Sequence, residues 1–409
     1  MDTEDTDRAG TSGRNITLFL CGDVMCGRGI DQILPHPGEP RLFEPFVHSA
    51  LGYVALAERA SGSMQRPVDF AYVWGDALRE LDRAQPDVRI VNLETAVTTA
   101  SGPWPGKQIH YRMHPGNVAC LAAAKIDCCL LANNHTMDWG RDGLAETLDT
   151  LHRAGMRTAG AGRNANEAAA PAVIGLPGGG RVLVFAFATQ SAGVPEDWAA
   201  TRNRSGVSWV NELSMRAADR IGRQVQASMH AGDIAVASIH WGGNWGYDIS
   251  LAERAFAHRL IEAGGIDIVH GHSSHHPRAI EVYRGRLILY GCGDFLNDYE
   301  GIGGYESFRP DLVLMYLPTL DTATGTILEL LLLPMQIRRF RLHRLQQADK
   351  RWLEERLNRE GQKFGVQVES LVNGTSKLIQ FSHRQRFKTD TPPYRTHARD
   401  VSPVARAAG

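Results

Sequence analysis

The feature that most constrains this chain is a construction it uses five times: a short apolar run that ends on Asp, Glu, Asn or His. Ile16–Cys21 leads into Gly22-Asp23, and Val88–Val91 into Asn92-Leu93-Glu94. Asp127–Ala132 leads into Asn133-Asn134-His135, and Ile234–Ile239 into His240-Trp241-Gly242. Ile266–Val269 leads into His270-Gly271-His272, with His275 and His276 close behind. Apolar runs of this length, rich in β-branched residues, read as buried strands. A polar residue just past the carboxyl end of a strand is where an α/β sheet places its ligands.

Helical segments separate the strands. Trp74–Ala84 places Leu78 and Leu81 on one side, and Asp142–Ala154 does the same with Leu144, Leu148 and Leu151. Ser250–Glu253 reads as a capping box that opens a helix with Phe256, Leu260 and Ala263 inward. Strands alternating with helices give an α/β class. Ala279–Val282 with Leu287–Tyr290, and Leu312–Leu317 with Thr326–Leu333, read as hairpins, so the sheets are expected to be mixed. No linker divides residues 15–345, which are expected to form one domain. Residues 1–14 are expected to be disordered, 346–386 to form an extension with a helix over Gln347–Gly361, and 387–409 to be a flexible tail.

Composition narrows the function. A net charge of −1 over 409 residues gives no footprint for nucleic acid or an anionic membrane. No apolar run approaches the ~20 residues that span a bilayer. The polar, acidic start lacks the basic and apolar regions of a signal peptide, and the six cysteines form no C-x-x-C pair. These features predict a cytoplasmic protein with buried thiols.

The strand ends supply several imidazoles, two carboxylates and an amide. Mixed N/O ligation suits a divalent transition metal, Mn, Zn or Fe, and six ligands suffice for one ion or two. Arg112, Lys107 and His114 in an early loop, and Arg309 in a late one, are either anion-binding residues or solvated loop charges. Trp241 beside His240 is either a stacking surface for substrate or a core residue. Asp138 either accepts from His135 or caps the following helix.

The motifs G-D-V-M-C-G-R (22–28), N-L-E (92–94), N-N-H-T-M-D (133–138) and H-W-G (240–242) resemble those of the CapA family. So do G-H-S-S-H, E-V-Y-R-G and Y-G-C-G-D-F. This is the capsule, or poly-γ-glutamate synthesis, group, which is similar to calcineurin-like metallophosphatases. The resemblance implies a four-layer α/β/β/α sandwich with mixed sheets and a metal centre between them. It implies that Asp23 and His275 hold a first metal, that Glu94 bridges, and that Asn134, His240 and His272 hold a second. His135 would then be a general acid supported by Asp138. The superfamily's D-x-H is here Asp23-Val24-Met25, which leaves the first metal short of a ligand, with Arg28 placed to fill part of that niche. The function implied is a metal-dependent hydrolase acting on a phosphoester or a γ-glutamyl amide, with a small-molecule or polymeric, anionic substrate. The alternative is a non-hydrolytic component of polymer synthesis or export.

Overall fold

The structure, a computed structural model, describes residues 14–372 and 374–380. Residues 1–13 of the start expected to be disordered, and the tail 387–409, lie outside the described residues.

Two mixed sheets carry the fold. The larger has ten strands, ordered along its main path Val366–Ser370, Ser376–Gln380, Ile327–Arg338, Leu312–Asp321, Asn15–Val24, Val88–Leu93, Cys128–Leu130 and Arg157–Ala159. Along this path the last four strands run parallel and the other pairings are antiparallel; off it, Asp294–Leu296 pairs in parallel with Asn15–Val24, and Arg341–Arg344 antiparallel with Ile327–Arg338. The smaller sheet has seven strands, centred on the parallel trio Arg181–Thr189, Ile234–His240 and Ile268–His272. The expected hairpins are present: Ile280–Tyr283 pairs antiparallel with Arg286–Leu289, and Leu312–Asp321 with Ile327–Arg338.

Strand alternation explains the layering. Val182, Val184 and Ala186 share one buried cluster with Leu18, Leu20 and Ile90 of the larger sheet. Their neighbours Leu183, Phe185 and Phe187 belong to a second cluster with Ile221 and Val225 of the helix Met215–Ser228, and with Phe256 and Leu260 of Leu251–Gly264. The helices Asp76–Ala84 and Gly140–Arg153 add Leu81, Leu144, Leu148 and Leu151 to the larger sheet's core. The result is the expected α/β/β/α sandwich. The Ser250–Glu253 capping box is formed in both directions. The segment after residue 345 supplies the helix Gln347–Gly361 and two further strands of the larger sheet.

Two glycines let the sheets close where the polar residues gather. A Cβ on Gly22 would stand 1.9 Å from Gly293 O, and one on Gly271 would stand 2.6 Å from both Leu289 O and Tyr290 O. Side chains at these positions would hold the strands apart. With glycine there, Asp23 N donates to Gly293 O at 2.9 Å, and Asp23 lies in parallel register with Asp294.

Candidate metal centre

Each sheet delivers its polar residues at one end. In the larger sheet Asp23 and Asn92 are register partners, and Asn92 Nδ2 donates to Asp23 Oδ1 at 2.8 Å. Asn133 continues the row by donating to Asn92 Oδ1 at 3.1 Å and to Leu93 O at 2.9 Å. In the smaller sheet His240 and His272 are register partners, with their rings stacked at 6.5 Å. The two rows then meet: His272 Nδ1 lies 2.7 Å from Asp23 Oδ1, and His240 Nε2 lies 3.0 Å from Asn134 Oδ1. Asp23, Glu94 and His240 offer ligand atoms all within 4.8 Å of one another.

The donor set fits a divalent cation. Glu94 Oε2, His240 Nδ1 and His272 Nε2 are buried and have no hydrogen-bond partner. Buried polar atoms left unpaired in this way carry a desolvation cost that a bound ion removes. Electrostatics point the same way. Burial, then the Asp23 charge beside it, pushes the Glu94 carboxyl well above its ordinary range. Burial also works on Asp23, but His272 outweighs it and holds that carboxyl below the ordinary range. Burial pushes His240 down to about 3, so its ring is neutral and its lone pair is free for ligation. Two adjacent carboxyls cannot both ionise without a countercharge, which a dication supplies.

His275 stands to one side. Its Nδ1 lies 2.9 Å from Asp294 Oδ1, and Asn297 donates to the other Asp294 oxygen at 2.7 Å. Burial opposes charge on this ring, but Asp294 outweighs it, so His275 is raised. Tyr299 and Trp245 flank the ring at 5.2 and 5.3 Å. His276 turns away, accepting from Gly246 N and packing on Tyr247 and Phe308.

His135 Nε2 faces Glu94 Oε1 at 3.8 Å, and its Nδ1 lies 2.6 Å from Asp138 Oδ2. Asp138 also accepts from Tyr111 N at 2.6 Å and pairs with Lys107. It therefore holds His135 rather than capping a helix; the helix begins at Gly140 with Trp139 before it. Burial, then the Lys107 ammonium, pushes His135 down to about 4, so the ring is neutral near pH 7.

Four other residues singled out in the sequence lie away from this cluster. Arg28 is buried and spent: it makes two bonds to Asp298 and one to Glu44, and it lies 3.6 Å from the centre of the Tyr53 ring. It fills no metal niche; it ties the loop around Glu44 to the loop around Asp298. Arg112 donates to Ala100 O and Glu39 O and covers Trp139. The His114 ring accepts from Gly116 N and caps the turn Pro115–Asn117. Trp241 is wholly buried on the opposite face of its strand, against Phe256 and Tyr290, and donates to Tyr290 O. Alternation explains this placement: if His240 points inward, the next residue points outward.

Sequence reasoning passed over three contributors. Asn92 and Asn133 were legible as the first residues of their strand-end motifs. His270, whose Nε2 lies 2.9 Å from Cys21 O and whose ring meets His272 edge-on at 4.1 Å, sits two residues before His272 on the same strand face.

Comparison with known proteins agrees with the motifs. The family described as "Bacterial capsule synthesis protein PGA_cap" matches residues 17–299. A probable polyglutamine synthesis accessory protein of Mycobacterium tuberculosis is 49% identical over 354 residues, which is 86% of this chain and 93% of that protein. The PGA biosynthesis protein CapA of Bacillus subtilis is 27% identical over 74% of this chain and 67% of its own length. Among solved structures, a phosphatase from Mycoplasma pneumoniae aligns with a TM-score of 0.44 and 10% identity, over 79% of this chain and 94% of that one.

Proposed function

The chain belongs to the PGA_cap family of bacterial capsule synthesis proteins, and from that premise we propose that it is a metal-dependent hydrolase of a phosphoester or a γ-glutamyl amide. The observation that carries the reading is the meeting of Asp23, Glu94 and His240 at the sheet ends, with unpaired ligand atoms on Glu94, His240 and His272. Asp23, Glu94, Asn134, His240 and His272 would hold the ion, and His275 with Asp294 would serve a second ion if one binds. A divalent cation there, Mn, Zn or Fe, would supply Lewis acidity and activate water at neutral pH.

The chain's own residues supply the rest. Asp138 fixes the His135 ring with Nδ1–H donating to it, which directs Nε2 toward Glu94. An anionic substrate against Nε2 raises the affinity of that nitrogen for a proton, and the ring then donates it to the leaving oxygen or nitrogen. Burial of the whole cluster strengthens each of these interactions.

The names of these relatives favour a second reading, in which the chain serves polymer synthesis as a non-hydrolytic, polymer-binding component. In either reading we place it in the cytoplasm. The six free, buried cysteines support a reducing compartment, and no helix among the described residues is long and apolar enough to cross a membrane.

The deciding experiment assays protein reconstituted with Mn, Zn or Fe against phosphoesters and γ-glutamyl amides, beside a His240→Ala/His272→Ala variant. Turnover that disappears with the bound metal in the variant supports hydrolysis. A metal-loaded protein that cleaves neither class while binding poly-γ-glutamate moves the second reading ahead.

A further inference from the structure

We propose that Lys107 takes up an anionic oxygen of the ligand, a phosphoryl or carboxylate oxygen held beside the reacting bond rather than at it. The placement beside a reacting bond rests on the hydrolase reading; the contact between Lys107 and an anionic oxygen does not.

The argument is a count of donors and acceptors. Lys107 reaches the centre from the irregular stretch between the short strands Ala96–Val97 and Arg112–Met113, a part of the chain that carries none of the metal-ligand motifs. An ammonium has three N–H groups and no lone pair. One donates to Asn134 O and one to Asp138 Oδ1. The third partner in reach is His135 Nδ1, at 3.0 Å. That nitrogen lies 2.6 Å from Asp138 Oδ2, and the same oxygen already accepts from Tyr111 N. Asp138 acts here as an acceptor throughout, so the proton of the close contact sits on His135 Nδ1. A protonated Nδ1 has no lone pair to offer Lys107. One ammonium N–H is therefore left without a lone-pair acceptor, on a side chain that is 19% exposed, with the ammonium over the face of the Trp198 ring at 5.3 Å.

Position defines the ligand. The far nitrogen of the His135 ring faces Glu94 at 3.8 Å, so Lys107 stands one imidazole ring away from the metal cluster. An oxygen held by Lys107 is displaced by that width from the group over the ions. A γ-glutamyl amide provides such an oxygen in its carboxylates, and a phosphoester in a second phosphoryl oxygen. The other loop cations singled out in the sequence are engaged elsewhere. Arg112 is bound to two backbone carbonyls, and Arg309 to Asp311 and Asp349.

The test is calorimetric titration of Mn-loaded full-length protein with inorganic phosphate and, separately, with γ-glutamylglutamate. The wild type should bind at least one probe, and which of the two binds identifies the source of the oxygen. Lys107→Gln should weaken that binding about tenfold or more, the size of one charge-assisted hydrogen bond, with metal content unchanged. Lys107→Arg keeps the charge and an N–H donor for a single oxygen and should stay within about tenfold of wild type. It decides the matter if Lys107→Gln does not fold, because a loss beyond tenfold in the arginine variant overturns the proposal. Equal affinity in wild type and Lys107→Gln also overturns it, as does a wild type that binds neither probe. Lys107-dependent binding without cleavage of either bond class sinks the hydrolase reading alone and leaves this one standing.

Discussion

His272 Nδ1 lies 2.7 Å from Asp23 Oδ1, although the two residues end strands of different sheets and are 249 positions apart. The contact joins the sheets at the candidate metal centre and sets the electrostatics of its members. His272 holds the Asp23 carboxyl below the ordinary range, while burial and the Asp23 charge raise that of Glu94 well above it.

A metal entering the Asp23–Glu94–His240 cluster must therefore displace a proton from Glu94. Asp23 is already ionised and the His240 ring already neutral near pH 7, so neither has one to give. Affinity should rise with pH, about tenfold per unit for one proton released, until Glu94 ionises without metal. Calorimetry in buffers of different ionisation enthalpy measures the release directly. Glu94→Gln should abolish it along with most of the affinity. A metal that binds with no proton released near pH 7 would contradict this account of the carboxyl pair.

Gly22→Ala should separate steric fit from chemistry. The new Cβ would meet a backbone oxygen at 1.9 Å, and neither strand can yield without pulling Asp23 from Asp294. Overpacking of this kind costs about 1–3 kcal/mol. Denaturant unfolding should show a loss of that order, together with weaker metal binding, although no ligand has been changed. A variant with wild-type stability and metal content would show that the sheets have slack at this point.

What could be read from the sequence follows from what is local in the fold. The strands, the hairpins and the five polar strand ends were legible because burial imposes a period on neighbouring residues. The outward turn of Trp241 follows from the same period once His240 is taken as inward. The partners of Arg28 were not legible. Glu44 and Asp298 lie in two irregular loops, and nothing near Arg28 in sequence encodes a contact across 270 positions. The grip of Lys107 on Asp138 was hidden in the same way, by a loop whose path depends on the finished fold.

The Arg28 clasp should behave as a stability element. Its guanidinium is buried between two carboxylates, so Arg28→Met leaves Asp298 and Glu44 as uncompensated buried charges. Breaking a buried pair from one side costs about 3–5 kcal/mol. Thermal and urea unfolding should register the loss. Arg28→Lys should recover little of it, because a single ammonium cannot reproduce the two-point bond to Asp298. Wild-type stability in Arg28→Met would mean that the two loops are held by other contacts.

His135 and Asp138 can be tested apart from metal binding. His135→Gln should lower turnover of an identified substrate about 10²–10⁴-fold with metal content intact, the range general acid–base groups contribute. The pH profile carries the sharper prediction. In the free protein burial and Lys107 hold His135 at about 4, so its protonated form is scarce at neutrality. Donation to a leaving group then requires the bound anion to raise it. Turnover at saturating substrate should fall with rising pH at a midpoint well above 4, and that limb should vanish in His135→Gln. The kcat/KM profile, which reports the free protein, should show the His135 limb near 4 instead. Asp138→Asn weakens the support for the protonated ring and should move the kcat limb to lower pH. A kcat limb that stays in place in both variants would remove His135 from the proton transfer.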